Sequence, residues 1–210
     1  FMTAVSERIN QDIRKINELS HSIGGRISIK KQSGTPVNSM VIEIDYPTAP
    51  SKDYPNQVQK KTEVHIKLLS RYPFQEPEAT ITTPIFHPNV YQSGKICFGT
   101  KWLPSQGLDL LIKRIIQIIT FDETILNEGS PANGAALRWY KETVLKYSNS
   151  FPTDKLVIKE KAASKMSWNN VDISRVVVNC SSCQTGLRVP MGKKGNLTCP
   201  NCSTKFYVET

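Results

Sequence analysis

The chain has 210 residues, 39% of them apolar, with 27 basic and 18 acidic side chains for a net charge of +9. That length suits one ordinary domain of about 150 residues plus a small module. No run of about 18 apolar residues occurs, which excludes a transmembrane helix and leaves no membrane partner. The first stretch, FMTAVSERINQDIRK, has no apolar secretion core, so a cytoplasmic protein is expected, with Met2 as its natural start. From Thr3 to His21, Val5, Ile9, Ile13, Ile16 and Leu19 recur every three or four residues, one face of a helix. Gly24 and Gly25 end it. Four strand-like runs follow, RISIK at 26–30, MVIEIDY at 40–46, EVHIKLL at 63–69 and ATITT at 79–83, and turn formers separate them. The alternation in MVIEIDY and EVHIKLL gives each strand one buried and one polar face. A proline-containing irregular stretch then leads to LDLLIKRIIQIITF at 108–121, apolar on most sides and expected as a deeply buried helix. SPANGAALRWYKETVLKY starts the last helix, with Ser130 as N-cap and Pro131 in its first turn. The order predicts an α+β domain over residues 1–147, an antiparallel meander with helices on one face.

Residues 148–174 lack periodicity and read as a linker, with a short helix expected around Lys159–Met166. Residues 175–210 carry the chain's second module. Cys180 and Cys183 form one Cys-x-x-Cys pair, Cys199 and Cys202 another, fifteen residues on. This spacing fits a four-thiolate zinc site: each pair grips from a tight turn and together they complete a tetrahedron. Four thiolates leave no open position for water, so the expected Zn2+ is structural. Short β-rich runs between turn formers make the module a zinc ribbon, too small to fold on its apolar core alone. Residues 1–146 carry 18 basic and 14 acidic groups; residues 147–210 carry 9 and 4. The basic C-terminal part leaves three readings open: nucleic acid, an acidic protein surface, or a solvated lysine-rich linker.

The fifth cysteine, Cys97, stands alone in IFHPNVYQSGKICFG, just past a turn at Gly94 and eight residues beyond Asn89. A lone cysteine is ordinarily a small core residue. Here four anchors occur together: YPFQEPE at 72–78, HPNV at 87–90 with GKIC at 94–97, Trp102-x-Pro104, and SPANGAALRWY at 130–140. Over about residues 3–147, the chain resembles the ubiquitin-conjugating enzymes, whose fold is also a helix, a four-stranded meander and further helices. The resemblance implies that Cys97 takes the C-terminal glycine of a ubiquitin-like protein from an activating enzyme's thioester. A target amine, usually lysine, then attacks it. Thiolate is both a strong nucleophile and a good leaving group, so no histidine base is needed beside it.

By the same resemblance, Asn89 donates to the oxyanion, with bracing of the loop as the alternative. Ser130 occupies the position that helps orient the amine, and N-capping is its other reading. Asp122 and Glu123 are further candidates for an acidic role. His87, Pro88 and Gly94 are expected to be structural. Arg8, Arg14 and Lys15 on the first helix match the family's meeting place with its activating enzyme, or are simply solvated. Phe74 and Pro104 match apolar positions presented to RING-type ligases, or close the core.

The chain also departs from the family. Cys97 lies closer to Trp102 than is common, FDETILNEG replaces a proline-rich connection, and the ribbon is an unusual addition. These differences suggest a divergent branch, with a bacterial antiphage ubiquitin-like system as the expected setting. Two other functions stay open: an inactive binding module of the same fold, and a nucleic-acid-binding protein acting through the basic ribbon. The former typically lacks the cysteine, which is present here.

Overall fold

The computed structural model describes residues 4–158 and 175–210. They belong to two compact units, one within residues 1–160 and one within 161–210. In the first unit, helix α1 spans Ala4–Ser22. Strands β1 (Ile27–Ser33), β2 (Ser39–Ile44), β3 (Thr62–Lys67) and β4 (Glu78–Ile81) form an antiparallel sheet in the order β1-β2-β3-β4. The register pairs Ile42 with both Ile29 and Val64, and Val64 with Ile81, so one sheet face is a continuous apolar surface. Met40, Ile42, Ile44, Val64, Ile66, Ala79 and Ile81 are buried on it. Helix α2, Leu108–Ile119, is buried at seven of its twelve positions. It shares the main core with α1 and the sheet. The α+β order expected from the sequence is therefore present, with boundaries shifted by a few residues.

α1 buries Ile9, Ile16 and Leu19, and on the same face a carboxylate, Asp12. Its oxygens accept from Arg8 Nε at 2.8 Å, Tyr72 Oη at 2.5 Å and the Leu108 N–H at 3.3 Å. α2 has no side-chain cap of its own, so Asp12 supplies an anion from another helix to the positive end of the α2 dipole. Burial, with Asp12 alongside, pushes the Tyr72 phenol well above its ordinary pKa.

α2 ends with a non-glycine residue in the left-handed region, Phe121 at φ 59°. Phe121 N–H donates to Ile118 O at 2.9 Å and Asp122 N–H to Gln117 O at 2.9 Å, which closes the helix in a Schellman arrangement. The backbone penalty is offset by complete burial of the ring. Phe121 lies 4.3 Å from His87, 4.5 Å from Phe151 and 5.9 Å from Tyr140 between ring centroids. With Ala49, Trp139 and Tyr140 it forms a second, aromatic core.

Helix α3 spans Gly134–Lys146, and its N-cap is Asn133, whose side chain accepts from the Ala136 N–H at 3.0 Å. This corrects the sequence expectation: Ser130 and Pro131 precede the helix, and Ser130 caps nothing. The expected linker also begins too early. Residues 150–154 form a strap on the first unit. Phe151 stacks on Tyr54 at 5.1 Å, Tyr54 Oη donates to Ser150 O at 2.7 Å, and Thr153 N–H donates to Thr120 O at 2.9 Å. Arg26 Nη2 meets Asp154 Oδ2 at 2.6 Å, and Arg26 lies over the Tyr46 ring at 3.5 Å. The helix expected around Lys159–Met166 lies outside the described residues.

The second unit is built from two hairpins, β5 (Arg175–Asn179) with β6 (Gly186–Pro190) and β7 (Lys194–Thr198) with β8 (Lys205–Glu209). Among its described residues, the only buried hydrophobic ones are Cys180, Val189 and Cys199. No helix among the described residues is long and apolar enough to cross a membrane.

Candidate functional site

The segment after β4 folds back along that strand's outer edge. Ile81 N–H donates to Gly94 O at 2.8 Å and Ile96 N–H to Ala79 O at 3.1 Å. Gly94 has φ 81°, and a Cβ there would lie 2.1 Å from the Ile81 carbonyl oxygen. Only glycine allows this approach. Tyr91 N–H donates to Lys95 O and Gly94 N–H to Tyr91 O, which closes the turn. The turn delivers Cys97, half-buried, between buried Ile96 and Phe98. Arg114 of α2 holds the next peptide, donating to Phe98 O from Nε at 3.2 Å and Nη2 at 2.9 Å.

His87, Pro88 and Asn89 form the buried floor behind the cysteine. Cys97 N–H donates to Asn89 O at 2.8 Å, and Asn133 N–H donates to Pro88 O at 3.0 Å, so the triplet joins the cysteine loop to the start of α3. His87 Nδ1 accepts from Asn89 N–H at 2.9 Å. Complete burial lowers the His87 pKa to about 3, so the ring is neutral near pH 7. Its Nε2 has no hydrogen-bond partner among the described residues. Asn89 is only 1% exposed. Nδ2 donates to Ile125 O at 3.0 Å and weakly to Cys97 O at 3.5 Å, while Oδ1 accepts from Asn127 N–H at 3.1 Å. In this geometry the amide braces two loops.

On the opposite lip, Ser130 is exposed and its backbone is bonded on both sides by Asn127. Asp122 caps the short 3-10 turn Glu123–Ile125 and accepts from the Thr124 N–H and hydroxyl and from Gln117. Those bonds outweigh burial and hold its carboxyl below the usual range. The Asp122 carboxylate is thus committed to local structure. Asn127 and Asn133 had no sequence signal of function.

The expected partner-facing residues divide. Arg14 pairs with Glu7 at 3.2 Å and Lys15 is exposed. Arg8 is not a free surface charge: besides Asp12 it donates to the carbonyls of Pro104, at 2.9 Å, and Gln106. Phe74 is 75% exposed and Pro104 is exposed, so neither closes the core. Trp102 Nε1 donates to Pro73 O at 2.7 Å, which ties the two loops that carry them.

In the second unit, the sulfurs of Cys180, Cys183, Cys199 and Cys202 all lie within 4.8 Å of one another. Cys180 and Cys202 are 3.6 Å apart, as are Cys183 and Cys199. A tetrahedron with metal–sulfur bonds of about 2.3 Å has edges of about 3.8 Å, so the thiols fit one metal ion. The two turns repeat each other. Gln184 and Ser203 both take positive φ, and Thr185 and Thr204 place their hydroxyls 3.1 and 3.3 Å from Cys183 and Cys202 Sγ. These hydroxyls hold both thiols down, Cys183 to about 5. The repeated C-x-x-C-x-T spacing was the sequence signal for this second layer.

The first unit is thus an α+β domain presenting one half-buried cysteine beside a buried His-Pro-Asn bracket. The profile of the ubiquitin-conjugating enzyme family matches residues 8–152, and the chain belongs to that family. It is similar to a ubiquitin-conjugating enzyme E2 of African swine fever virus, strain Badajoz 1971 Vero-adapted, 26% identical over 113 residues, covering 48% of this chain and 51% of that protein. Ubiquitin-conjugating enzyme E2 T of Bos taurus is 37% identical over 71 residues, covering 34% of this chain and 35% of that protein. The chain therefore spans about half the viral relative's length and about a third of the bovine one's. Human ubiquitin-conjugating enzyme E2 G1 aligns in structure over 56% of this chain and 98% of that one, at 20% identity and a TM-score of 0.42.

Proposed function

We propose that this chain is an active thioester carrier. The Cys97 thiolate attacks the carbonyl carbon of a ubiquitin-like protein's C-terminal thioester on an activating enzyme; the new S–C bond forms as the enzyme's thiolate leaves. A target lysine amine then attacks the same carbon. The C–N bond forms, Cys97 departs as thiolate, and the amine proton passes to solvent. The observation that carries the reading is the placement of Cys97. It is half-buried at the end of a turn that glycine alone can make, with its own N–H held by Asn89.

Asn89 is in the first place the brace of this site. As oxyanion donor it would use the amide hydrogen now given to Cys97 O at 3.5 Å, the weaker of its two bonds. Ser130, exposed across the lip, is available to the amine. Phe74 and Pro104 offer an apolar surface for a RING-type ligase, and Arg14 and Lys15 one for the activating enzyme. The four ribbon cysteines hold structural zinc, which when bound supplies folding free energy. The proposed setting is cytoplasmic. The antiphage setting rested on divergence alone, and the named relatives are viral and animal, so the proposal stops at the enzyme. The reading of the fold as an inactive binding module finds no support in a retained and accessible cysteine.

The test is a covalent trap. Cys97→Lys is expressed with the native gene neighbours and examined by intact and peptide mass spectrometry. A ubiquitin-like C-terminus joined to the introduced lysine is expected. A bare lysine, together with wild-type protein that forms no thiol-sensitive adduct, would overturn the proposal.

A further inference from the structure

The lip opposite Cys97 is held by a side chain outside the family anchors. Asn127 bonds both backbone groups of residue 130: its Nδ2 donates to Ser130 O at 2.6 Å and its Oδ1 accepts from Ser130 N–H at 3.1 Å. These two bonds close a ring around residues 127–130. The ring is anchored to the floor of the site, since Asn127 N–H donates to Asn89 Oδ1 at 3.1 Å. It also faces the cysteine loop: a methyl placed on Gly99 would lie 4.0 Å from Asn127 Nδ2. No helix does this work, because α3 begins only at Gly134, past its cap at Asn133.

We infer that Asn127 is the positioning residue for the amine-accepting step. This inference rests on the thioester reading above. Transthiolation needs an accessible sulfur and is guided by a protein partner that brings its own contact surface. A lysine side chain brings little binding energy of its own, so its attack depends on a lip already in place. Asn127 ties that lip, and with it Ser130, to Cys97 through one chain of bonds: Cys97 N–H to Asn89 O, Asn89 Oδ1 to Asn127 N–H, and the Asn127 side chain to Ser130. The step itself is unchanged. The amine nitrogen bonds the carbonyl carbon, the C–S bond breaks, Cys97 leaves as thiolate, and the proton goes to water.

The experiment uses the full chain as wild type, Asn127→Ala and Asn127→Asp. Each is loaded from the mercaptoethanesulfonate thioester of ubiquitin, then discharged in a single turnover against increasing free lysine. Loading of Asn127→Ala is expected to stay within about twofold of wild type, while its maximal discharge rate falls on the order of 10- to 100-fold with little change in half-saturating lysine. Asn127→Asp keeps the acceptor for Ser130 N–H but loses the donor to Ser130 O, and should fall between the two. Equal losses in loading and discharge with a lowered Tm would overturn the inference by making Asn127 a general fold residue. Undiminished discharge would overturn it directly. Wild type that takes no thioester from ubiquitin, nor from the modifier that the Cys97→Lys trap identifies, would instead overturn the carrier reading itself, so the two failures are distinguishable.

Discussion

At the scale of single residues, His87 shows how burial fixes a protonation state. Its imidazole is fully enclosed, and burial lowers its pKa from an ordinary 6.5 to about 3. In the unfolded chain the ring protonates near 6.5, so below that pH the unfolded state binds the extra proton and gains. The sign follows: the His87 contribution is complete above pH 6.5 and is lost as pH falls toward 3, by at most about 1.4 kcal/mol per pH unit. His87→Asn, which keeps an acceptor for the Asn89 N–H, should be less stable at pH 7 but show a flatter decline between pH 6 and 4 in urea titrations. An unchanged slope would assign the acid sensitivity to another group. Legibility at this scale was partial. Cys97, Asn89 and His87 stand in a recognisable triplet and spacing. Asn127 does not, because its role lies in which backbone groups its amide reaches. Asp12 carries no sequence signal of its role, which only the meeting of α1, Tyr72 and α2 explains.

Secondary-structure elements were legible wherever burial is periodic. α1 and the strands followed from spacing, and α2 from a run apolar on most sides, since all of them pack into the same core. The start of α3 was misread for a physical reason. Ser-Pro is a good N-cap and first-turn pair, but Asn127 takes both backbone groups of Ser130, and Asn133 three residues later offers an equally good cap. The two assignments differ measurably. Asn133→Ala should destabilise the domain by about 1 kcal/mol, while Ser130→Ala should stay within about 0.5 kcal/mol. Reversed values in denaturant unfolding would restore the earlier start. The strap at residues 150–154 was illegible for a different reason. It has no period at all and is held by side chains and carbonyls from several distant elements.

For the whole molecule, the two units draw their stability from different sources. The first has an extensive apolar core. The second buries only Val189 besides two cysteines among its described residues, far too little to offset the entropy of ordering its chain. On the zinc proposal, metal at the four thiols supplies the difference. Chelation at neutral pH should therefore abolish the ribbon's dispersed amide resonances in NMR and leave those of the first unit, and its thermal transition, in place. Loss of both sets together would show that the units fold as one. The strap has a further consequence, which concerns synthesis on the ribosome. Phe151 fills the aromatic core from the last segment of its unit, and Asp154 reaches back to Arg26 near the first strand. A nascent chain that has released only residues up to α3 has its sheet and helices but lacks the ring that packs against Phe121. The first unit thus completes its fold only when the strap clears the exit tunnel, before the ribbon's second pair of cysteines emerges.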